Sequence, residues 1–168
     1  MLDWVALLCL AGAIGLLIAL AIIDLKTWLL PNVLVAPLAL LAVIFHFVAP
    51  AQSLTLPDMI FGAVLGFGVL WIIRYFGSRY YGQDALGLGD VKLMGAAGLW
   101  LGAEGITLAL TLGATAGLLH GLGVAALTAR REGGTMKLSR LQIPAGPGFV
   151  VGILCVGAYQ YMHFRIGG

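Results

Sequence analysis

Two aspartates carry the chemistry that this sequence offers. Asp90 lies in the stretch Asp84-Ala85-Leu86-Gly87-Leu88-Gly89-Asp90-Val91-Lys92-Leu93, where it ends a glycine-rich turn at the mouth of an apolar segment that runs on to Ala103. Asp24 closes the first long apolar run. Ionisable groups at membrane depth are costly and tend to mark functional sites. Two carboxylates brought close together do not both ionise easily, so they share a proton. One then acts as general base on a water and the other as general acid, and the water attacks a peptide carbonyl without an acyl-enzyme. Gly87 and Gly89 stand three positions and one position before Asp90. Glycine gives the backbone unusual torsions and lets another chain lie close, which suits an extended peptide held against a carboxylate. Gly87 and Gly89 are therefore expected to contact substrate.

Plainer roles exist for both carboxylates. Asp24 can cap the turn after the first helix, with Lys26 as a loose partner, and Asp90 can be an N-cap, a role aspartate favours. Other chemistries have less support. Cys9 and Cys155 lie in apolar runs with no CxxC pair, which reads as two small buried hydrophobes and gives no cysteine metal site. There is no HExxH, so no zinc peptidase is indicated. No metal and no cofactor are expected. His46 and His163 are expected near the surface opposite the aspartates, and His120 hydrogen-bonded to a neighbouring helix. Lys26 and Lys92 each sit two residues past an aspartate, a helical spacing that points them away from it and toward the headgroups.

The elements that must position the two aspartates follow from composition. Of 168 residues, 61% are hydrophobic and 10% charged, and the mean hydropathy is +1.06. A soluble domain carries about 25% charged residues, so this is an integral membrane protein embedded in a lipid bilayer. The net charge of +2 is too small to indicate a nucleic-acid partner. Apolar runs predict an all-α, polytopic fold of one domain over 1–168 with about six transmembrane helices. The spans fall near 2–23, 33–49, 59–76, 91–103, 106–128 and 149–164. The first exceeds a signal-peptide core and lacks a basic flank, so it reads as a permanent helix. Arg74, near the end of the third span, is placed to snorkel. The connection Gly77–Gly89 is the candidate moving part.

With six spans, Lys26, Arg74, Arg79, Lys92, Arg130, Arg131, Lys137 and Arg140 share one face and only Arg165 opposes them. By the positive-inside rule that face is cytosolic. Two spans separate Asp24 from Asp90, so both carboxylates reach the same face at similar depth. Small residues four apart (Gly62/Gly66, Gly98/Gly102, Gly113/Gly117, Gly117/Gly121, Gly148/Gly152) predict close helix packing rather than chemistry.

At these residues the sequence resembles the type IV prepilin leader peptidases, membrane aspartyl peptidases of the GxGD type. Ile23-Asp24-Leu25-Lys26 through Leu29-Leu30-Pro31-Asn32 is similar to the family's first aspartate segment. Gly87-Leu88-Gly89-Asp90-Val91-Lys92-Leu93, continuing to Gly98-Leu99-Trp100-Leu101-Gly102, is similar to the second. Ile143-Pro144-Ala145-Gly146-Pro147 is similar to a Pro-Phe-Gly-Pro stretch, with Ala145 replacing the usual Phe. The resemblance implies an enzyme of the inner (cytoplasmic) membrane that removes a short basic leader from prepilins or pilin-like pseudopilins at the cytosolic face. Asp24 and Asp90 would be its catalytic pair. Longer members carry a segment with paired CxxC motifs, associated with N-methylation of the trimmed pilin. That segment is missing from this sequence, which is more similar to the short forms and implies a peptidase without methyltransferase activity. Two competing readings remain: a proton-coupled transporter using the same aspartates as a relay, and a non-catalytic component of a pilus or secretion assembly.

Overall fold

A backbone surrounded by lipid must satisfy its own hydrogen bonds, and an apolar chain with few interior charges does so by coiling. The computed structural model describes residues 2–28, 30–49, 54–84, 86–132 and 145–162. Among them are five helices and no strand: α1 (Leu2–Thr27), α2 (Asn32–Val48), α3 (Leu56–Tyr81), α4 (Leu88–Glu132) and α5 (Gly146–Tyr161). The stretches Trp4–Thr27, Leu56–Tyr81 and Leu88–Leu127 are long and apolar enough to cross a membrane, and α2 is a shorter apolar helix. The chain is an all-α membrane protein.

Helix α4 holds both the fourth and the fifth expected spans. It breaks only at Gly102, where φ is 69° and ψ is −174°, a left-handed conformation suited to glycine. The break frees the amides that open the second arm, and Asp58 of α3 meets one of them: Ala103 N–H donates to Asp58 Oδ1 at 3.2 Å. Thr107, Thr111 and Thr115 each return their hydroxyl to the carbonyl four residues back, which satisfies them on a lipid-facing surface.

The small-residue spacing does what the sequence predicts. A side chain on Gly62 would strike the backbone of Gly98 and Gly102, and one on Gly66 would strike the Met94 carbonyl. Gly148 and Gly152 of α5 lie as tightly against Ala109, Gly113 and Gly117 of α4. Close backbone approach gives van der Waals packing where lipid offers no hydrophobic drive. Helices α3, α4 and α5 thus form one tightly nested group. Helices α1 and α2 form a hairpin docked on it, with Trp100 Nε1–H donating to the Leu38 carbonyl at 2.9 Å and Lys92 Nζ donating to Asn32 Oδ1 at 3.0 Å.

Several expectations need correction. Helix α3 runs on to Tyr81, so the expected Gly77–Gly89 connection shrinks to the residues between Tyr81 and Leu88. Arg74 does not snorkel: it pairs with Asp84 at 2.8 Å and donates to the Leu86 carbonyl. Lys92 bonds Asn32 instead of reaching for headgroups. Cys9 is buried but Cys155 is exposed on α5. His120 is exposed rather than held by a neighbouring helix. His46 is buried at the far end of α2, where its Nδ1 accepts from Leu54 N–H at 3.2 Å. His163, Lys137, Arg140, Arg165, Ile143 and Pro144 lie outside the described residues.

Candidate active site

The inward face of α1 is a stripe of Ala6, Cys9, Ala13, Leu17, Leu20 and Asp24, all buried. Steps of three and four keep these residues on one side of a helix. Asp24 is therefore the last member of the packing face and not a residue of the turn that follows. The helix ends just beyond it, with Trp28 N–H bonded to the Asp24 carbonyl at 2.9 Å and Trp28 itself left-handed at φ 58°.

Asp90 is the third residue of α4, one turn too deep to be its N-cap, and is also buried. Its neighbours Val91, Leu93 and Met94 are fully covered, so the carboxylate is set at the edge of the core. Asp24 is 4% and Asp90 5% exposed.

The two aspartates meet, and Gly146 is where they do so. A Cβ built on Gly146, the first residue of α5, would stand 2.5 Å from Asp24 Oδ2, 2.9 Å from Asp24 Cγ and 3.2 Å from Asp90 Oδ1. The two carboxylate oxygens are thus no farther apart than the first and last of those distances end to end. Both are buried, and neither accepts a hydrogen bond among the described residues. Buried polar atoms are almost always partnered, and exceptions call for an explanation. Here the unpartnered oxygens border one small space beside the Gly146 Cα.

The two glycines expected to contact substrate, Gly87 and Gly89, have different neighbours within the chain. Neither has positive φ. Gly89 is pressed against Leu30, where an added Cβ would come within 2.6 Å of the Leu30 Cβ. The chain lying close to it is this protein's own link between α1 and α2. A Cβ on Gly87 would stand 2.9 Å from Asp90 Oδ2, so that glycine leaves the second carboxylate oxygen unobstructed. The turn ahead of it is gripped by Arg74, through Asp84 and the Leu86 carbonyl.

Gly146 was invisible as a site residue in the sequence, although the stretch around it stood out. Its role depends on α5 starting beside the ends of two other helices. Among the described residues, no three His, Cys, Asp or Glu side chains stand together to hold a metal ion. An apolar crevice of about 530 Å³ opens among α1, α4 and α5, lined by residues such as Leu10, Leu17, Trp100, Ile153 and Tyr161. Neither aspartate lines it, so it is separate from this site.

Comparison with known proteins bears on the same residues. A model of the type IV leader peptidase family matches residues 11–122, a stretch that contains both aspartates and ends before Gly146. The prepilin leader peptidase/N-methyltransferase of Escherichia coli K12 is 35% identical over 114 residues, 68% of this chain and 49% of that protein. The protein of the same name from Pseudomonas aeruginosa is 38% identical over 142 residues, 82% of this chain and 46% of the relative. For that of Aeromonas hydrophila the figures are 35% over 108 residues, 64% and 37%. The chain spans half or less of the length of these relatives. No solved structure matches it. With two thirds of its residues matched by the family model and its sequence shared at this level across 82% of the chain with a named peptidase, the protein belongs to the type IV leader peptidase family.

Proposed function

We propose that this protein is an aspartyl endopeptidase that removes the short leader from prepilins or pilin-like pseudopilins, with Asp24 and Asp90 as its catalytic pair. The observation that carries this reading is the pair of buried, unpartnered carboxylate oxygens bordering one space at Gly146. Two such groups work with one proton between them. The ionised member takes a proton from water as that water attacks the scissile carbonyl. The protonated member donates to the departing amine. Below the working pH both are protonated and no base remains; above it both are ionised and no acid remains. The kcat–pH profile is therefore bell-shaped, and its limbs report the pair.

The site lies at the end of the bundle where α1 finishes and α4 and α5 begin. Lys26 in the last turn of α1 and Arg79 in the last turn of α3 belong to that end. With six spans, the two arms of α4 each crossing, the positive-inside rule makes it cytosolic. A substrate entering there would present the border between a basic leader and an apolar helix. A proton relay would place its carboxylates near mid-bilayer, whereas these occupy terminal helical turns. Methyl transfer is not assigned to these 168 residues, which hold two cysteines and no CxxC; a labelled methyl donor supplied with trimmed pilin tests that assignment.

The decisive assay incubates purified protein with a prepilin and follows the mobility shift of the trimmed product. Asp24→Asn and Asp90→Asn are each expected to lower the rate by about 10²–10⁴-fold, the worth of a positioned acid or base. Normal trimming by either variant refutes the catalytic assignment.

A further inference from the structure

Glycines in this protein are excluded from carrying side chains for different reasons. At Gly62, Gly98, Gly148 and Gly152, an added Cβ would meet the backbone of a neighbouring helix. Gly102 has a left-handed φ. Gly146 fits neither class. Its φ is not positive, it opens a helix, and the three nearest atoms to an added Cβ all belong to the carboxyl groups of Asp24 and Asp90. Neither conformation nor helix packing asks for glycine there; only the two acids do.

A second, separate observation concerns the start of the helix. The first N–H groups of a helix lack intrahelical partners, and they favour a nearby negative charge. The first residue of α5 stands against the Asp24 carboxyl group, and the Asp24 oxygen nearest to it, Oδ2, is buried and unpartnered.

We propose that Gly146 is a positioning residue of the peptidase, whose missing side chain keeps open the space where both carboxylates meet water and the scissile carbonyl. The proposal rests on the catalytic reading of Asp24 and Asp90 given above. It adds a third helix to the site, from a part of the chain that lies beyond the stretch matched by the family model.

Gly146→Ala and Gly152→Ala in the full-length chain separate a positioning role from a packing role. A carboxyl group can swing away from a methyl, but a helix backbone cannot. Gly146→Ala is expected to fold, with the wild-type melting temperature in detergent and a KM for prepilin within about two-fold of wild type. Its kcat is expected to fall about 10²-fold, the usual consequence of misplacing a reacting group by about an ångström. Gly152→Ala is expected to melt earlier, with the protein that stays folded keeping its kcat. Wild-type kcat in Gly146→Ala, or activity lost only in step with loss of folded protein, overturns the proposal and leaves the catalytic pair standing. Normal trimming by the two Asn variants overturns both. Should Gly146→Ala fail to fold, the double variant Asp24→Cys, Gly146→Cys decides: it is expected to close a disulfide under mild oxidation, and no cross-link refutes the contact.

Discussion

Two buried acids, each with an unpartnered oxygen, are a stability cost that the fold carries. Burying a charge or an unpaired polar atom is unfavourable unless it is compensated, and sites built for chemistry are often strained in this way. Asp24→Asn and Asp90→Asn should therefore be inactive and yet melt higher than wild type, each by about 1 kcal/mol. Thermal unfolding in detergent checks this. A drop in stability on either change would mean that the carboxylate serves as a structural partner and not as a reagent. The same cost made these two residues legible in the sequence, because acids at the ends of apolar runs are rare unless they work. Gly146 was illegible by that logic. A glycine before a proline at the start of a span is ordinary, and nothing in its spacing relates it to residues 24 and 90. Gly87 and Gly89 were recognised for close approach; within the chain Gly89 lies against Leu30, and Gly87 lies against the Asp90 carboxyl group.

At the scale of elements, the turn before Asp90 is held by one side chain. Arg74 reaches from α3 to both Asp84 and the Leu86 carbonyl. The two contacts are unequal. The Asp84 side chain is 72% exposed, and exposed ion pairs contribute about 0–1 kcal/mol. A hydrogen bond from a charged donor to a partly buried carbonyl contributes about 1.5–3 kcal/mol. Arg74→Ala is expected to lower kcat about ten-fold by loosening the turn, whereas Asp84→Asn should change it by less than about three-fold. Equal effects from the two variants would place the grip in the ion pair instead. This element was misread from sequence for a physical reason. Arg74, Arg79 and the glycine at 77 suggested that the helix had ended. The arginine can remain helical because it folds back onto the turn it restrains. The break between the fourth and fifth spans, expected between 103 and 106, falls at Gly102, since a glycine suits φ 69°, and Asp58 caps the second arm directly.

At the scale of the molecule, the site joins two assemblies. Asp24 ends the first helix of the α1–α2 hairpin, while Asp90 and Gly146 belong to the nested group of α3, α4 and α5. Among the described residues, polar contacts that tie the hairpin to that group include Trp100 to Leu38 and Lys92 to Asn32. Apolar patterning made the helices and their membrane setting readable from sequence, and the glycine spacing foretold which of them nest. Which pieces dock loosely was not readable, because it depends on side chains such as Trp100 finding a carbonyl 62 residues away. Trp100→Phe, which leaves the Leu38 carbonyl without that donor, is expected to cost about 1–3 kcal/mol and to reduce trimming more than it reduces the stability of α3–α5. Proteolytic sensitivity of the α1–α2 hairpin, compared with that of the remainder, measures the difference. Two polypeptides divided in the connection between Val48 and Leu56, made together in one cell, should reassemble in the bilayer and recover trimming; persistent inactivity with both fragments inserted would show that the join must be continuous.

The division of the two acids between separate pieces bears on how such an enzyme is made safely. During synthesis the residue at 24 leaves the ribosome long before those at 90 and 146, and on its own it is an inert carboxyl group. On the proposed catalytic reading, hydrolytic power arises only when the last helix arrives and closes the third side. On that reading the nascent protein is harmless to itself and to its neighbours until its insertion is finished.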